Sequence, residues 1–216
     1  MNLAAFADVH DDFAFVTDTL RSVGAVDVVV IAGDLTNCGT PTEVEAALAQ
    51  WQLFAPRLVA VAGNMDSPAI DRALVERGVS IDGRCQVVGD VAFFGCSAAP
   101  VSIGTPYEIP EEEIAARIQR GFAQAQASGV STLVFVPHAP PYGAVDRVWS
   151  GAHAGSRAVR EFVDRHQPAL VLCGHIHEAR GQARLGNSVI VNCGPAKRGH
   201  YALVELTAKA VQVELR

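Results

Sequence analysis

The sequence predicts an α/β protein in which two mixed β-sheets pack face to face and helices cover both outer faces. Three observations support this prediction. Apolar runs typical of strands alternate with helical patterns up to Gly78, short strands and turn signals replace this alternation after it, and the chain ends in a strand-rich tail. A single doubly wound sheet is the alternative, but it leaves the hairpins of the tail without a place in the fold.

The first half of the chain is predicted to alternate three strands with three helices. Asp27–Ala32 is a nearly continuous run of β-branched residues, as expected for a strand that is buried on both faces. Thr40, Pro41 and Glu43 form the pattern of a helix start, with a cap, a proline at the first helical position and a capping box. The predicted strands are Leu3–Ala7, Asp27–Ala32 and Leu58–Ala62, and the predicted helices are Asp11–Val23, Thr40–Phe54 and Asp66–Gly78.

The second half is predicted to be richer in strands. Asp82-Gly83 and Gly89-Asp90 are signals for hairpin turns, and Pro100–Tyr107 is predicted to be a loop. Acidic residues after Pro110 favour a helix start there, and Ser156 is the predicted cap of a helix that ends at His166. The predicted strands are Val79–Ile81, Arg84–Val88, Val91–Cys96, Thr132–Val136, Ala169–Cys173, Ser188–Asn192, Tyr201–Leu206 and Val211–Leu215.

Length and composition favour a globular enzyme-sized domain. The 216 residues match one large α/β domain, so a single domain is expected over residues 1–216. A net charge of −6 argues against general binding to DNA or RNA. No basic signal-peptide region and no long apolar stretch is found, so a membrane is not an expected partner. The five cysteines form no CxxC pair, which favours a cytoplasmic location.

Five short polar motifs each follow an apolar run that is predicted to be a strand. They are Asp8-Val9-His10, Gly33-Asp34, Gly63-Asn64, Pro137-His138 and Gly174-His175-Ile176-His177. Ligand-binding residues of α/β sheets gather beyond the carboxyl ends of strands, and alternate residues of an extended chain point the same way. These side chains can therefore converge on one pocket. The glycines before the ligands are expected to permit unusual backbone angles and close approach to the site.

The residue types in these motifs indicate a pair of divalent metal ions. Imidazoles together with carboxylates favour Mn, Fe, Ni or Zn over Mg or Ca. Asp34 has two oxygens that can bridge two cations, and Asn64 supplies a neutral carbonyl oxygen. Two such ions, roughly 3.5–4 Å apart, can share a hydroxide and hold a phosphoryl group for in-line displacement. Asp34, Asn64 and His138 are the residues predicted to act on the hydroxide and the phosphate through the metals.

The motifs, in this order, resemble those of the calcineurin-like metallophosphoesterase superfamily. The segments around His153, Gln167-Pro168, Gly174–Glu178 and Asn192–Pro195 are similar to those of its small single-domain prokaryotic members, which are phosphodiesterase-like. The resemblance implies a four-layer αββα sandwich and a bridging hydroxide that attacks phosphorus. It also implies that one metal is held by Asp8, His10, Asp34 and His177, and the other by Asp34, Asn64, His138 and His175.

Two positions depart from the pattern of that family. Many members carry a histidine after the Gly-Asn pair, where it protonates the leaving oxygen or stabilises the transition state. This chain has Met65 there, and methionine cannot transfer a proton. Asp66, His153, water or a good leaving group is expected to compensate, although His153 can equally be a structural residue of its glycine-rich loop. The other departure is Asn37, which replaces an aspartate that usually lies outside the metal ligands.

These features favour hydrolysis of a small-molecule phosphodiester, because small relatives that lack the histidine are often phosphodiesterases. A phosphomonoesterase or phosphoprotein phosphatase is the nearest alternative. A metal-stabilised scaffold that binds partner proteins is an alternative of another class. Arg180, close after the last histidine, is a candidate for a phosphate oxygen or an ordinary surface residue. The sequence leaves the oligomeric state open.

Overall fold

The computed structural model describes residues 1–207 and 210–216, which form two large β-sheets and five α-helices. The strands are β1 (Asn2–Phe6), β2 (Val28–Ala32), β3 (Arg57–Val61), β4 (Cys85–Val88), β5 (Val91–Cys96), β6 (Ala99–Pro100), β7 (Glu108–Ile109), β8 (Thr132–Pro137), β9 (Leu170–Cys173), β10 (Gly181–Leu185), β11 (Ser188–Asn192), β12 (Ala202–Leu206) and β13 (Val211–Leu215). The helices are α1 (Phe13–Val23), α2 (Pro41–Trp51), α3 (Pro68–Glu76), α4 (Glu111–Ala127) and α5 (Arg157–His166). Short 3₁₀ helices cover His177–Ala179 and Ala196–Arg198.

Both large sheets combine parallel and antiparallel strands. The first has the order β13-β12-β1-β2-β3, and the second has the order β10-β11-β9-β8-β5-β4. β1, β2 and β3 are parallel to one another, and so are β5, β8, β9 and β11. Parallel neighbours end at the same edge of a sheet, so each sheet brings several carboxyl ends together.

Alternating side chains divide the core into layers. In β2, Val28, Val30 and Ala32 join the cluster that both sheets share, whereas Val29 and Ile31 join the cluster that includes the helices. This period of two is the geometry of an extended strand buried on both faces. The arrangement confirms the predicted four-layer sandwich and excludes the single doubly wound sheet.

The helix starts follow the sequence signals. The Thr40 main-chain N–H donates to the Glu43 carboxylate at 2.8 Å, and the hydroxyl of Ser156 accepts from the Val159 N–H at 3.2 Å. Each such bond satisfies a donor or fixes the first turn. The helices end within a few residues of the predicted positions; for example, α2 ends at Trp51 instead of Phe54, and α3 ends at Glu76 instead of Gly78.

The structure differs from the predicted elements at residues 79–83 and at strand β10. The segment 79–81 is not a hairpin strand, because Ile81 donates to Ala60 of one large sheet at 3.0 Å and accepts from Gly95 of the other at 2.9 Å. It therefore bridges the two sheets, and Asp82-Gly83 is not a hairpin turn. The strand β10 was not predicted, because Gly-Gln-Ala-Arg-Leu has no β-branched residue; its pairing with β11 creates the strand.

Across the two described ranges, every helix is too short or too polar to cross a lipid bilayer.

Candidate metal centre

The ligand motifs lie beyond the carboxyl ends of strands from both sheets. Asp8, Asp34 and Asn64 follow β1, β2 and β3 of the first sheet, whereas His138 and His175 follow β8 and β9 of the second. The structure thus brings the predicted residues together where the two sheets face each other. All except His175 and His177 are buried, and those two are partly exposed.

One group of possible ligands contains Asp8, His10 and His177, whose donor atoms lie within 4.8 Å of one another. His177 Nε2 is 3.5 Å from Asp8 Oδ1 and 3.3 Å from His10 Nε2. His10 Nε2 is also 3.7 Å from Asp34 Oδ2. Two imidazoles and two carboxylates therefore face one small volume.

A second group forms on the other side of Asp34. Asn64 Oδ1 is 2.9 Å from His138 Nε2 and 2.7 Å from His175 Nδ1. His138 Nε2 is 3.5 Å from Asp34 Oδ1, and donor atoms of Asp8, Asp34 and His138 again lie within 4.8 Å of one another. One oxygen of Asp34 thus faces each group, which is the position of a bridging ligand.

The backbone at these motifs is conformationally unusual. Asp8, His10, Asp34 and His175 have φ angles of 52°, 49°, 51° and 67°, in the left-handed region that costs energy for side chains other than glycine. Such strain concentrates at functional sites, where the surrounding structure holds it. The prediction that glycines supply the unusual angles holds only for Gly33, because Gly63 and Gly174 are absent from the positive-φ residues of the described chain.

Close approach explains the glycines better than backbone angle does. A Cβ on Gly63 would overlap the carboxylate of Asp34, and a Cβ on Gly33 would overlap the ring of His138. A Cβ on Gly174 would lie 2.5 Å from Asp8 Oδ2. Each glycine therefore leaves the space that a ligand on a neighbouring segment occupies.

Surrounding hydrogen bonds orient the ligands. His138 Nδ1 is 2.8 Å from the carbonyl oxygen of Ala32, so Nδ1 carries the proton and Nε2 presents its lone pair to the site. The Asn64 amide donates from Nδ2 to Thr105 Oγ1 at 3.1 Å, which turns Oδ1 toward the histidines. Asp8 accepts from the His175 main-chain N–H at 3.0 Å.

The electrostatics of the pocket suit cations. Burial lowers the pKa of His10 to about 4 and that of His175 to about 3, so both imidazoles are neutral at pH 7 with lone pairs available. Burial raises the pKa of Asp34 to about 7, because taking a carboxylate out of water disfavours its charge. In the described chain, Asp8 and Asp34 pair only with imidazoles and with no lysine or arginine.

The donor set therefore fits divalent cations. Two buried carboxylates, four imidazoles and one amide oxygen converge, and a positive charge is what this arrangement lacks. Nitrogen and oxygen donors in this mixture suit first-row transition metals.

The structure does not support Asp66 as the compensating proton donor. Asp66 is fully buried, and its carboxylate accepts from the main-chain N–H groups of Leu35, Thr36 and Gly63 at 3.1, 2.9 and 2.8 Å. The Thr36 hydroxyl adds a fourth bond at 3.0 Å. With its acceptor sites filled by these four donors, Asp66 ties the loop of Asp34 to the loop of Asn64.

The other predicted residues have distinct surroundings. Arg180 donates from Nη2 to the main-chain oxygen of Arg216 at 2.8 Å, and its stem packs against Gly194. Asn37 donates to the carbonyl oxygen of His10 at 3.2 Å and so supports a ligand segment. His153 lies on the loop after β8, where its Nδ1 contacts Asp146 Oδ1 at 2.6 Å.

Sequence reasoning missed several residues that support the ligands. Thr105 orients Asn64, and Asn192 donates from Nδ2 to the carbonyl oxygens of Val145 and Ile176 at 3.2 and 2.9 Å. These residues hydrogen-bond across distant segments and carry no local pattern. Only Asn192 carries a sequence signal, because the Asn-Cys-Gly-Pro segment that begins there is part of the family resemblance.

Comparison with known proteins points to one family. The family model for calcineurin-like phosphoesterases matches residues 1–179. The chain is 28% identical to an uncharacterised protein of Methanocaldococcus jannaschii over 201 residues, covering 90% of this chain and 88% of that protein. It is 26% identical to a UPF0046 protein of Caenorhabditis elegans over 227 residues, covering 93% of this chain and 71% of that protein.

Solved structures share the fold. A Thermus thermophilus protein, TT1561, superposes with a TM-score of 0.75 at 18% identity, covering 99% of this chain and 97% of that one. A dimetal phosphatase of Danio rerio superposes with a TM-score of 0.69 at 12% identity, covering 100% of this chain and 96% of that one. The family match spans most of the chain and includes every ligand motif that the two sheets bring together. The chain is therefore a member of the calcineurin-like phosphoesterase family.

Proposed function

We propose that this protein hydrolyses a small-molecule phosphodiester with the help of two divalent cations. The position of Asp34 carries the proposal: its two oxygens face two separate groups of nitrogen and oxygen donors. Asp8, His10, Asp34 and His177 would hold one cation, and Asp34, Asn64, His138 and His175 would hold the other. When bound, such a pair lowers the pKa of water and neutralises charge on a phosphoryl group.

The residues of the chain supply orientation and a fixed electrostatic environment. The hydrogen bonds to Ala32 and Thr105 hold His138 and Asn64 in the rotamers and orientations that face the pocket. Ligands that are fixed in this way need little rearrangement during the reaction, which favours catalysis by preorganisation.

A basic turn beside the pocket supports an anionic substrate. The 3₁₀ helix Ala196–Arg198 is fixed by a 2.9 Å bond from the Ala196 N–H to the carbonyl oxygen of Ala7. Its Lys197 is exposed and close enough to His10 to help burial lower the pKa of that imidazole. This positive charge in an acidic protein favours entry of a phosphate ester, and the net charge of −6 argues against nucleic acid.

Exposed apolar side chains on both flanking loops support an ester with organic substituents. Ile103 is 88% exposed on the loop that is tied to Asn64 through Thr105. Trp149 is 87% exposed, and its main-chain N–H donates to Glu178, next to His177, at 3.0 Å. A diester carries an organic group on each side of phosphorus, and we propose these two loops as the surfaces that contact those groups.

The test compares metal-dependent hydrolysis of bis(4-nitrophenyl) phosphate with that of 4-nitrophenyl phosphate, in Mn²⁺ or Ni²⁺ and after chelation. We expect turnover of both, faster with the diester, and loss of turnover in Asp34→Asn. Asp18→Asn, which changes an exposed acid on α1, is the matched control. Faster hydrolysis of the monoester would refute the diester preference, and no metal-dependent turnover of either ester would refute the whole proposal.

A further inference from the structure

A buried carboxylate holds one histidine on the loop between β8 and α5. Asp146 is fully buried, and its Oδ1 is 2.6 Å from Nδ1 of His153. Its Oδ2 accepts from the main-chain N–H groups of Gly143 and Gly155 at 2.9 and 3.0 Å. Oδ2 already accepts from two main-chain donors, and Oδ1 accepts from Nδ1 of His153. Nδ1 therefore carries a proton, and this bond fixes the orientation of the ring.

The other ring nitrogen of His153 is open. The His153 side chain is 26% exposed, and in the described part of the chain no residue hydrogen-bonds its Nε2. The ring packs against Tyr142 with centroids 5.4 Å apart, which limits its motion. A histidine with one nitrogen fixed by a buried carboxylate and the other free has the arrangement used for directed proton transfer.

The loop that carries this histidine is attached to the metal-ligand turn His175–His177. The side-chain amide of Asn192 donates hydrogen bonds from Nδ2 to the carbonyl oxygens of Val145 on the loop and Ile176 on the turn. A cavity beside the loop is lined by His153 together with Val145, Arg147 and Ala179. Ala179 belongs to the short helix that begins at His177, so the cavity lies beside the segment that carries this candidate ligand.

We propose that His153 is a catalytic residue that protonates the leaving oxygen, and that Asp146 is its positioning residue. The inference rests on the proposed function. As water oxygen bonds to phosphorus, the bond from phosphorus to the leaving oxygen breaks and its electron pair stays on that oxygen. Protonated His153 transfers its Nε2 proton to the leaving oxygen and becomes neutral. The proton that the attacking water releases then restores the protonated form of His153. Neither Met65 nor Asp66 is suited to this step, for the reasons given above.

Kinetics over a series of leaving groups test the role of His153. Three metal-loaded proteins are compared: the wild type, His153→Asn and the control His166→Asn. The substrates are methyl aryl phosphates, with leaving groups from 4-nitrophenol to unsubstituted phenol, and an alkyl diester. Asparagine retains a donor to Asp146, so the loop bond persists. General acid catalysis contributes roughly 10²–10⁴-fold to a rate. We therefore expect His153→Asn to lower the rate on the alkyl ester about 10²-fold or more. The rate on the 4-nitrophenyl ester should fall by a factor several-fold smaller.

The kinetic results distinguish a failure of the proposed role of His153 from a failure of the proposed phosphoesterase activity. An equal loss across the series, or no loss at all, would overturn the role of His153 while leaving the phosphoesterase proposal intact. A wild-type protein without metal-dependent turnover would overturn both. His166→Asn is expected to match the wild type throughout, because His166 lies on α5 against Phe122 and Phe162, outside the loop.

A spectroscopic measurement tests the dyad independently of turnover. Long-range ¹H–¹⁵N NMR of the protein with phenylphosphonate added is expected to show a proton on Nδ1 of His153, both when Nε2 is protonated and when it is not, with the Nε2 resonance perturbed by the phosphonate. Asp146→Asn is expected to change the tautomer and to reproduce the leaving-group-dependent loss. An unperturbed Nε2 resonance, or an unchanged tautomer in Asp146→Asn, would contradict the assignment.

Discussion

The main-chain N–H of Met65 donates a 2.7 Å hydrogen bond to Oδ1 of Asp34, the carboxylate that lies between the two ligand groups. Because the donor is a backbone group, any residue except proline at position 65 can keep this bond. The orientation of Asp34 is thus independent of the side chain that follows Asn64. The position can therefore change its chemistry without disturbing the metal ligands.

Met65→His is expected to raise activity toward poor leaving groups. An imidazole next to Asn64 adds a proton donor that methionine cannot provide. The gain should be largest in the His153→Asn background, where the proposed donor is absent. Rates of the single and double variants on alkyl and aryl diesters measure it, with Met65→Leu as the control. Equal rates for Met65→His and Met65→Leu on the alkyl ester would contradict this expectation.

Gly63→Ala is expected to destabilise the protein and weaken metal binding. The new Cβ overlaps the Asp34 carboxylate, and overpacking of a buried site costs about 1–3 kcal/mol of the free energy of unfolding. Gly181→Ala is the matched control, because a Cβ there meets only the carbonyl oxygen of Ala179 at 3.8 Å. Thermal unfolding and Mn²⁺ titration of both variants provide the comparison. Identical melting temperatures would show that the ligand loops can move apart freely.

Asp66→Asn is expected to loosen both ligand loops. The amide nitrogen would face main-chain N–H groups that now donate to a carboxylate oxygen, leaving buried donors unpaired at a cost of about 1–3 kcal/mol. Asp18→Asn, at an exposed position, should have no comparable effect. If Asp66→Asn kept full stability but lost activity with poor leaving groups, Asp66 would be a proton donor after all.

Metal affinity is expected to rise with pH between 6 and 8. Burial raises the pKa of Asp34 to about 7, so a proton competes with the cations below that pH and leaves above it. For His138, burial lowers the pKa, but attraction to Asp34 and Asp8 gives a net rise, which adds an effect of the same sign. His10 and His175, with pKa values lowered to about 4 and 3, stay neutral and contribute nothing in this range.

Calorimetric Mn²⁺ titrations at pH 6, 7 and 8 check this dependence. Each displaced proton raises the affinity by at most about tenfold per pH unit. A constant affinity, or one that falls as the pH rises, would mean that Asp34 is ionised in the metal-free protein.

The candidate ligands could be located from the sequence because each is marked locally, by a short polar motif directly after an apolar strand. Asp8 and Asp34 follow parallel strands of one sheet, and His138 follows a parallel strand of the other, so the rule that ligands gather beyond the carboxyl ends of strands applies to each of them. The role of Asp66 could not be predicted, because it depends on main-chain donors of Leu35 and Thr36 in another loop. In the sequence, Asp66 lies between the candidate ligand Asn64 and the helix cap Ser67, a position that fits a proton donor and a structural residue equally well.

The same contrast between local and long-range signals explains the fold. β2 is specified by its own β-branched residues, whereas β10 exists because β11 offers it an edge. The segment 79–81 has the composition of a strand but lies between two sheets, where it pairs with single residues on each side. This placement depends on contacts between segments that are distant in the sequence, so a local sequence pattern does not predict it.

The measurement that tests the central claim most directly is a crystal structure of Mn²⁺-soaked protein with anomalous diffraction, together with the metal content of the same preparation. We expect two manganese ions per chain, one contacting His10 and His177, the other contacting His138 and His175, with an oxygen of Asp34 on each. A single ion, no ion, or an Asp34 carboxylate that contacts neither metal would contradict the account.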